Sequence, residues 1–193
     1  DNLREASRTV LDGLRAGDQA ALVMFNSTVT VGPALTSRAG LVQAAIDDAE
    51  PTGETSLVDA SFAGMMVAEA DAGRGLVMVF SDGRDTSSWL RPEAVIDVAK
   101  RCDAVVYGVA SGLAQRSEFL GELADQTGGR LFKIESTRSL SEVFREVLGE
   151  FRQRYLVSYS PAGVSREGWH ELAVRVKSRK AAVRARPGYL AGQ

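Results

Sequence analysis

Cys102 is the only cysteine and His170 the only histidine in 193 residues, and this scarcity removes several classes of chemistry. A disulfide framework needs paired thiols, a Cys/His zinc site needs several such ligands, and a Cys-His nucleophile pair would need the two lone residues to meet. Any metal must therefore be held by oxygen donors. The chain has no Gly-x-x-x-x-Gly-Lys phosphate loop and no Gly-x-Ser-x-Gly nucleophile elbow, the usual carriers of phosphoryl and acyl transfer on α/β folds. No apolar run approaches the roughly 20 residues that span a bilayer, and no charged start followed by an apolar stretch marks a signal peptide. A formal net charge of −2 provides no basic field for a polyanion, which argues against a nucleic-acid partner. The sequence says nothing about a membrane partner.

What is present is ordinary globular material, 45% apolar and 25% charged, enough to bury one sizeable core. Leu3, Ala6, Val10, Leu11 and Leu14 share one helical face, and Gly17 stops that helix. The first residues thus read as the inside of a helix, so the domain is expected to be incomplete at its N-terminal side, with any targeting segment upstream. Short apolar runs at Ala20–Phe25, Leu76–Phe80 and Ala104–Val109 predict strands buried on both sheet faces, and Leu131–Ile134 predicts a fourth strand. Val29 and Val31 predict a short edge strand. Helices are expected between them: one capped by Ser37 and closed by Pro51 to Gly53, one over Leu57–Ala70, one started by Pro92, one carrying Phe119, Leu120 and Leu123, and a long one from Leu140 to Phe151. Alternating strands and helices predict an α/β fold: a three-layer, Rossmann-like sandwich around a mostly parallel sheet.

Beyond Arg154 the rhythm changes. Tyr155–Tyr159, Leu172–Val176 and Ala182–Ala185 alternate without helices between them, which predicts a small antiparallel β appendage. The expected division is residues 1–153 for the α/β domain and 154–193 for the extension. Arg175, Lys177, Arg179, Lys180, Arg184 and Arg186 read as solvated charges protecting strand edges. His170 is expected to be structural or exposed, and Cys102 to be core.

Two loops lie where open α/β sheets bind ligands, beyond the carboxyl ends of strands. They are Thr52-Gly53-Glu54-Thr55-Ser56-Leu57 and Phe80-Ser81-Asp82-Gly83-Arg84-Asp85. A hydroxyl from one and a carboxylate from the other are hard donors suited to Mg²⁺. Each also has a structural role open to it: Thr55 as a helix N-cap, Asp82-Gly83 as a turn, and Glu54, Asp59 and Asp85 as capping or solvated carboxylates.

The order of these pieces resembles the von Willebrand factor type A family over roughly residues 1 to 150. Leu11 to Phe25 is similar to that family's first helix running into its second strand. Gly53-Glu54-Thr55-Ser56-Leu57 resembles its Gly-x-Thr-x-Leu loop, and Val77 to Gly83 its strand ending in Thr/Ser-Asp-Gly. The resemblance implies a metal-ion-dependent adhesion site, with Thr55 and Asp82 as the carried-over ligands and Asp82 acting through water. The cation would be Mg²⁺, or Mn²⁺ or Ca²⁺, absent if the site is incomplete in this chain. The family's Asp-x-Ser-x-Ser triplet, which its first strand supplies, has no counterpart in the sequence. In the family that strand lies between those corresponding to Ala20–Phe25 and Leu76–Phe80. An unmet buried backbone group costs about 1–3 kcal/mol, so on the order of a dozen would exceed a usual stability of about 5–15 kcal/mol. An upstream segment, another chain or a rearranged local strand is therefore expected in the slot, and a homodimer by strand exchange is one form this could take.

The tail, with Tyr155-Leu156-Val157-Ser158-Tyr159-Ser160-Pro161, Trp169-His170-Glu171-Leu172 and Val183-Arg184-Ala185-Arg186-Pro187-Gly188-Tyr189, resembles the ending of bacterial proteins in which this domain carries a β-rich extension. Such proteins are commonly exported, which implies a periplasmic or extracellular location. The function expected is a protein-binding module, not an enzyme, in which an acidic residue of a protein partner completes the metal site. The alternatives are a scaffold of the same fold without a working metal site and, less favoured, metal-assisted hydrolysis of phosphoryl or ester bonds.

Overall fold

The computed structural model describes residues 1–50, 53–70, 73–82, 84–112, 117–177 and 182–191. Pro51, Thr52, Gly83, Arg179 and Lys180, all used in the sequence reading, lie outside the described residues. The order is α1 (Asn2–Asp12), β1 (Val23–Phe25), β2 (Val29–Val31), α2 (Ala39–Asp48), α3 (Leu57–Glu69), β3 (Leu76–Ser81), α4 (Pro92–Ala99), β4 (Val105–Ala110), α5 (Glu118–Gln126), β5 (Leu131–Lys133), α6 (Leu140–Arg152), β6 (Gly168–Glu171) and β7 (Gly188–Ala191). A 3₁₀ turn over Thr137–Ser139 leads into α6.

Strands β3, β4 and β5 form a parallel sheet in that order, with Leu76 opposite Val105 and Gly108 opposite Leu131. Helices cover both faces. On one, Leu57, Val58 and Met65 of α3, Val95 and Ile96 of α4, and Leu120 and Leu123 of α5 pack on Val79, Val106 and Ala110. On the other, Ala6 of α1 and Leu140, Val143, Phe144 and Val147 of α6 pack on Tyr107, Val109 and Ile134. The three-layer α/β sandwich with a parallel sheet is thus the observed fold. Its layers need backbones to approach closely at Gly129, where a Cβ would collide with the Val106 carbonyl oxygen.

Strands β1 and β2 pair antiparallel as a separate ribbon, and β1 does not pair with β3. Helix α3 touches both β1 and β3, so the ribbon and the sheet are joined through a helix. Among the described residues, β1 and β3 thus each keep one edge without a strand partner. The open edge of β1 explains a difference from the sequence reading: Ala20–Phe25 reads as a strand buried on both faces, yet Ala20 makes only an isolated bridge to Thr36, and Val23, Met24 and Phe25 are half-buried. A strand lacking one neighbour loses both ladder bonds and side-chain cover on that flank. The expected Ser37 cap is also displaced, since Arg38 holds the N-cap position of α2 and makes no side-chain cap bond.

The extension is antiparallel, but its strands are not the three alternating segments. Gly168–Glu171 pairs with Gly188–Ala191, and the Leu172 N–H adds a bond to the Pro187 carbonyl at 2.8 Å; among the described residues Tyr155–Tyr159, the rest of Leu172–Val176 and Ala182–Ala185 belong to no strand. Alternation reports that one side of a segment is apolar, not which segment becomes its neighbour. The His170 ring stacks on Tyr189 at 5.0 Å between centroids, a structural role. Two of the basic residues read as solvated are engaged instead. The Arg186 Nη2 donates to the carbonyls of Ala99, Lys100 and Cys102 at 3.1–3.2 Å, crowning the C-terminal end of α4, where a cation meets the helix dipole. The Arg184 Nη1 donates to the Gly129 carbonyl at 3.2 Å, and its Nε lies 3.8 Å from Glu150.

Candidate functional site

At the carboxyl ends of β1 and β3, the loop entering α3 (residues 53–56) meets the chain between β3 and α4 (residues 82 and 84–91). The Ser56 N–H donates to the carbonyl of Asn26, just beyond β1, at 2.8 Å. The Thr55 carbonyl accepts from the N–H groups of Thr86 (2.8 Å) and Ser87 (3.3 Å), and the Thr55 N–H donates to Thr86 Oγ1 at 2.9 Å. Thr55 is thereby pinned between the end of β1 and the chain that follows β3.

The first turn of α3 is capped from across the gap rather than by its own residues. Ser56 holds the N-cap position without a side-chain cap bond; its hydroxyl instead meets Ser87 Oγ at 2.8 Å. The Val58 N–H donates to Asp85 Oδ1 (3.2 Å) and Ser88 Oγ (3.1 Å), and the Asp59 N–H donates to Ser88 Oγ (3.2 Å). Helix N-terminal N–H groups need such acceptors, and a carboxylate there also suits the helix dipole. Asp59 reciprocates: its Oδ2 and Oδ1 accept from the N–H groups of Trp89 and Leu90, both at 2.9 Å. The Ser88 hydroxyl donates to Asp85 Oδ1 at 2.5 Å.

This lattice sorts the candidate residues. Asp59 and Asp85 are capping carboxylates, and Ser56, Ser87 and Ser88 are tied to one another and to α3. The Thr55 hydroxyl and the Asp82 carboxylate have no hydrogen bond or ion pair among the described residues. Thr55 is not a helix cap, so its hydroxyl is available. Asp82 lies exposed just past the end of β3, and its carbonyl sits 3.0 Å from where a Cβ on Gly112 would stand. Gly112 has φ +51°, so the loop after β4 can close against Asp82 only with glycine there.

A hydroxyl and a carboxylate suit a hard cation such as Mg²⁺, but two donors are short of the about six that such an ion takes. Among the described residues no group of three or more His, Cys, Asp or Glu could hold a metal. The pair can serve only as part of a larger donor set. Asp59 and Asp85 read from the sequence as capping or solvated carboxylates and do accept backbone N–H groups, but the groups they meet and the part of Ser88 were missed. The only local signal of this brace was the Ser87-Ser88 pair in a loop, because the partners lie about thirty residues apart.

A family model described as von Willebrand factor type A domain matches residues 1–146. No curated protein sequence gives a significant match. Among solved structures, a von Willebrand factor type A protein from Catenulispora acidiphila superposes with TM-score 0.67 at 19% identity, over 75% of this chain and 36% of that one. Proximal thread matrix protein 1 of the mussel byssus, with a zinc-occupied MIDAS motif, gives TM-score 0.66 at 19% identity, over 78% of this chain and 40% of that one. BatB from Bacteroides thetaiotaomicron gives 0.59 at 13% identity, over 78% of this chain and 89% of that one. This chain thus spans well under half the length of the first two.

Proposed function

We propose that this chain, which belongs to the von Willebrand factor type A domain family, is a metal-ion-dependent protein-binding module and not an enzyme. The observation that carries the reading is the contrast within the braced loops. Among the described residues of these loops, Ser56, Asp59, Asp85, Ser87 and Ser88 are engaged internally, whereas the Thr55 hydroxyl, the Asp82 carboxylate and the exposed Glu54 are not. In this proposal Thr55 contributes its hydroxyl and Asp82 its carboxylate through water. Further donors come from a strand seated between β1 and β3, and a carboxylate of the protein partner takes the last position. Domains of this family are generally interaction modules, and a zinc-occupied MIDAS in one structural neighbour supports a divalent ion here. Mg²⁺, Mn²⁺ or Ca²⁺ fits the hard donors.

Residues 1–153 form the binding domain in this reading, and residues 154–193 are its β extension. The open edges of β1 and β3 support strand exchange between two copies. The resemblance of the tail to exported bacterial proteins supports a periplasmic or extracellular place. Among the described residues no helix is long and apolar enough to cross a membrane.

Calorimetric titration with Mg²⁺ and Mn²⁺ tests the reading on two forms, this chain and one extended upstream. Expected is binding in the extended form that Asp82→Ala and Thr55→Ala each weaken by at least about tenfold, roughly 1.4 kcal/mol. Absence of binding in both forms would remove the metal and leave the family's fold as a scaffold.

A further inference from the structure

Trp89 is 91% exposed on the loop that carries one wall of the candidate site, with Leu90 beside it at 39%. Burying a tryptophan is worth more than burying any other side chain, so one held almost wholly in water demands an account. The loop is not loose at this point. Its backbone is held by Asp59 through the Trp89 and Leu90 N–H groups, and one step earlier by Ser88 bonded to Asp85 and to the first N–H groups of α3. Holding the backbone in advance reduces the ordering entropy that binding would otherwise cost.

The charges around it are of both signs: Asp82 is exposed at the start of the loop, where a bound cation would offset it, and the others differ in how they are engaged. The Asp59 and Asp85 carboxylates are turned into the lattice, while Arg84 and Arg91, on either side of Trp89 in the chain, are exposed and form no ion pair among the described residues. Glu93 sits in the first turn of α4, where the helix N-terminus offsets its charge. Tryptophan and arginine are the side chains that most often anchor protein interfaces. We infer that Trp89, flanked by Arg84 and Arg91, is the partner anchor on the rim of this site. The partner is a protein segment that brings a large apolar side chain together with acidic residues. The inference deepens the binding-module reading and rests on it for the partner's carboxylate, but the surface itself needs no metal.

The test pans a displayed library of random linear peptides against the protein, then titrates synthetic copies of the enriched sequences by fluorescence anisotropy, in Mg²⁺ and in EDTA. Enriched peptides are expected to pair Asp or Glu with Leu, Phe or Trp, and to bind Trp89→Ala about tenfold more weakly. Arg84→Glu with Arg91→Glu is expected to weaken them further and to flatten the salt dependence. Trp89→Ala should leave the thermal midpoint unchanged, because the side chain is exposed and the Asp59 bond uses only the backbone. No enrichment over the bare support, equal binding to Trp89→Ala, or Trp89-dependent binding only to anionic phospholipid vesicles would each overturn the proposal. Trp89-dependent binding that ignores EDTA retains this surface and removes the metal reading; EDTA-sensitive binding that ignores Trp89 does the reverse.

Discussion

Glu69 collects three donors on one oxygen. Its Oε1 accepts from Cys102 Sγ at 3.3 Å and from the N–H groups of Asp103 and Ala104 at 3.0 Å, tying the last turn of α3 to the chain entering β4. Glu69→Ala leaves those backbone groups without their acceptor and is expected to lower stability by about 1–2 kcal/mol, read as a shift of the urea midpoint. Glu69→Gln, which keeps the oxygen, should recover most of the loss. The Cys102 thiol is buried beneath this contact, and burial pushes it up to about 12, the neighbouring Glu69 adding to the rise. A thiol whose folded value stands above its ordinary value of 9.0 adds stability that is complete below that pH and is lost as pH rises toward 12. Urea stability is therefore expected to fall on the alkaline side, with Cys102→Ala showing a shallower fall. Tyr107, fully buried, has its phenol raised chiefly by burial, with Glu150 raising and Arg154 lowering it. It adds to the alkaline loss in the same direction. If Cys102→Ala follows the parent curve, the thiol does not titrate in the fold.

The extension is fastened to the domain at the end of the sheet opposite the candidate site. Glu150 of α6 accepts from the Tyr107 hydroxyl at 2.9 Å and has Arg130 at 3.4 Å and Arg184 at 3.8 Å. The Arg154 Nη1 donates to the same Tyr107 oxygen at 3.0 Å. With Arg186 on the carbonyls ending α4, these contacts hold residues 184–186 while Tyr155 and Leu156 stand 93% and 82% exposed. Arg186→Ala is expected to leave the α/β core folded but to release the tail, seen as faster limited proteolysis beyond Arg154 and a stability lower by about 1 kcal/mol in urea unfolding. Unchanged cleavage would show that the β6–β7 pairing holds the tail without this arginine. That pairing was not legible in the sequence. Tyr155–Tyr159 carries the stronger alternation, yet Gly168–Glu171 is the segment that finds a neighbour, because pairing depends on where the chain returns after β6.

For the molecule as a whole, the open question of pairing lies between β1 and β3. Among the described residues each has a strand neighbour on one side only, and α3 touches both. A strand seated in the slot would satisfy both edges at once and bring donors toward Thr55 and Asp82. Amide exchange of β1 and β3 is expected to slow by at least about tenfold in an upstream-extended form, with a rise in thermal midpoint. Equal exchange in the two forms would mean that the added segment does not pair with these edges.

Local pattern settled the alternation of strands and helices, the parallel sheet, the burial of Cys102 and the two loops that hold Thr55 and Asp82. Buried strands and one-sided helices write their apolar periods directly into the chain. Only the folded arrangement decided that Asp59 and Asp85 cap across the loops while Asp82 stays unengaged, that Arg184 and Arg186 bind carbonyls instead of facing water, and that Trp89 is held out on a fixed backbone. Each of those outcomes depends on residues about thirty to ninety positions apart, and no local period encodes which distant hydrogen-bonding group a side chain will meet.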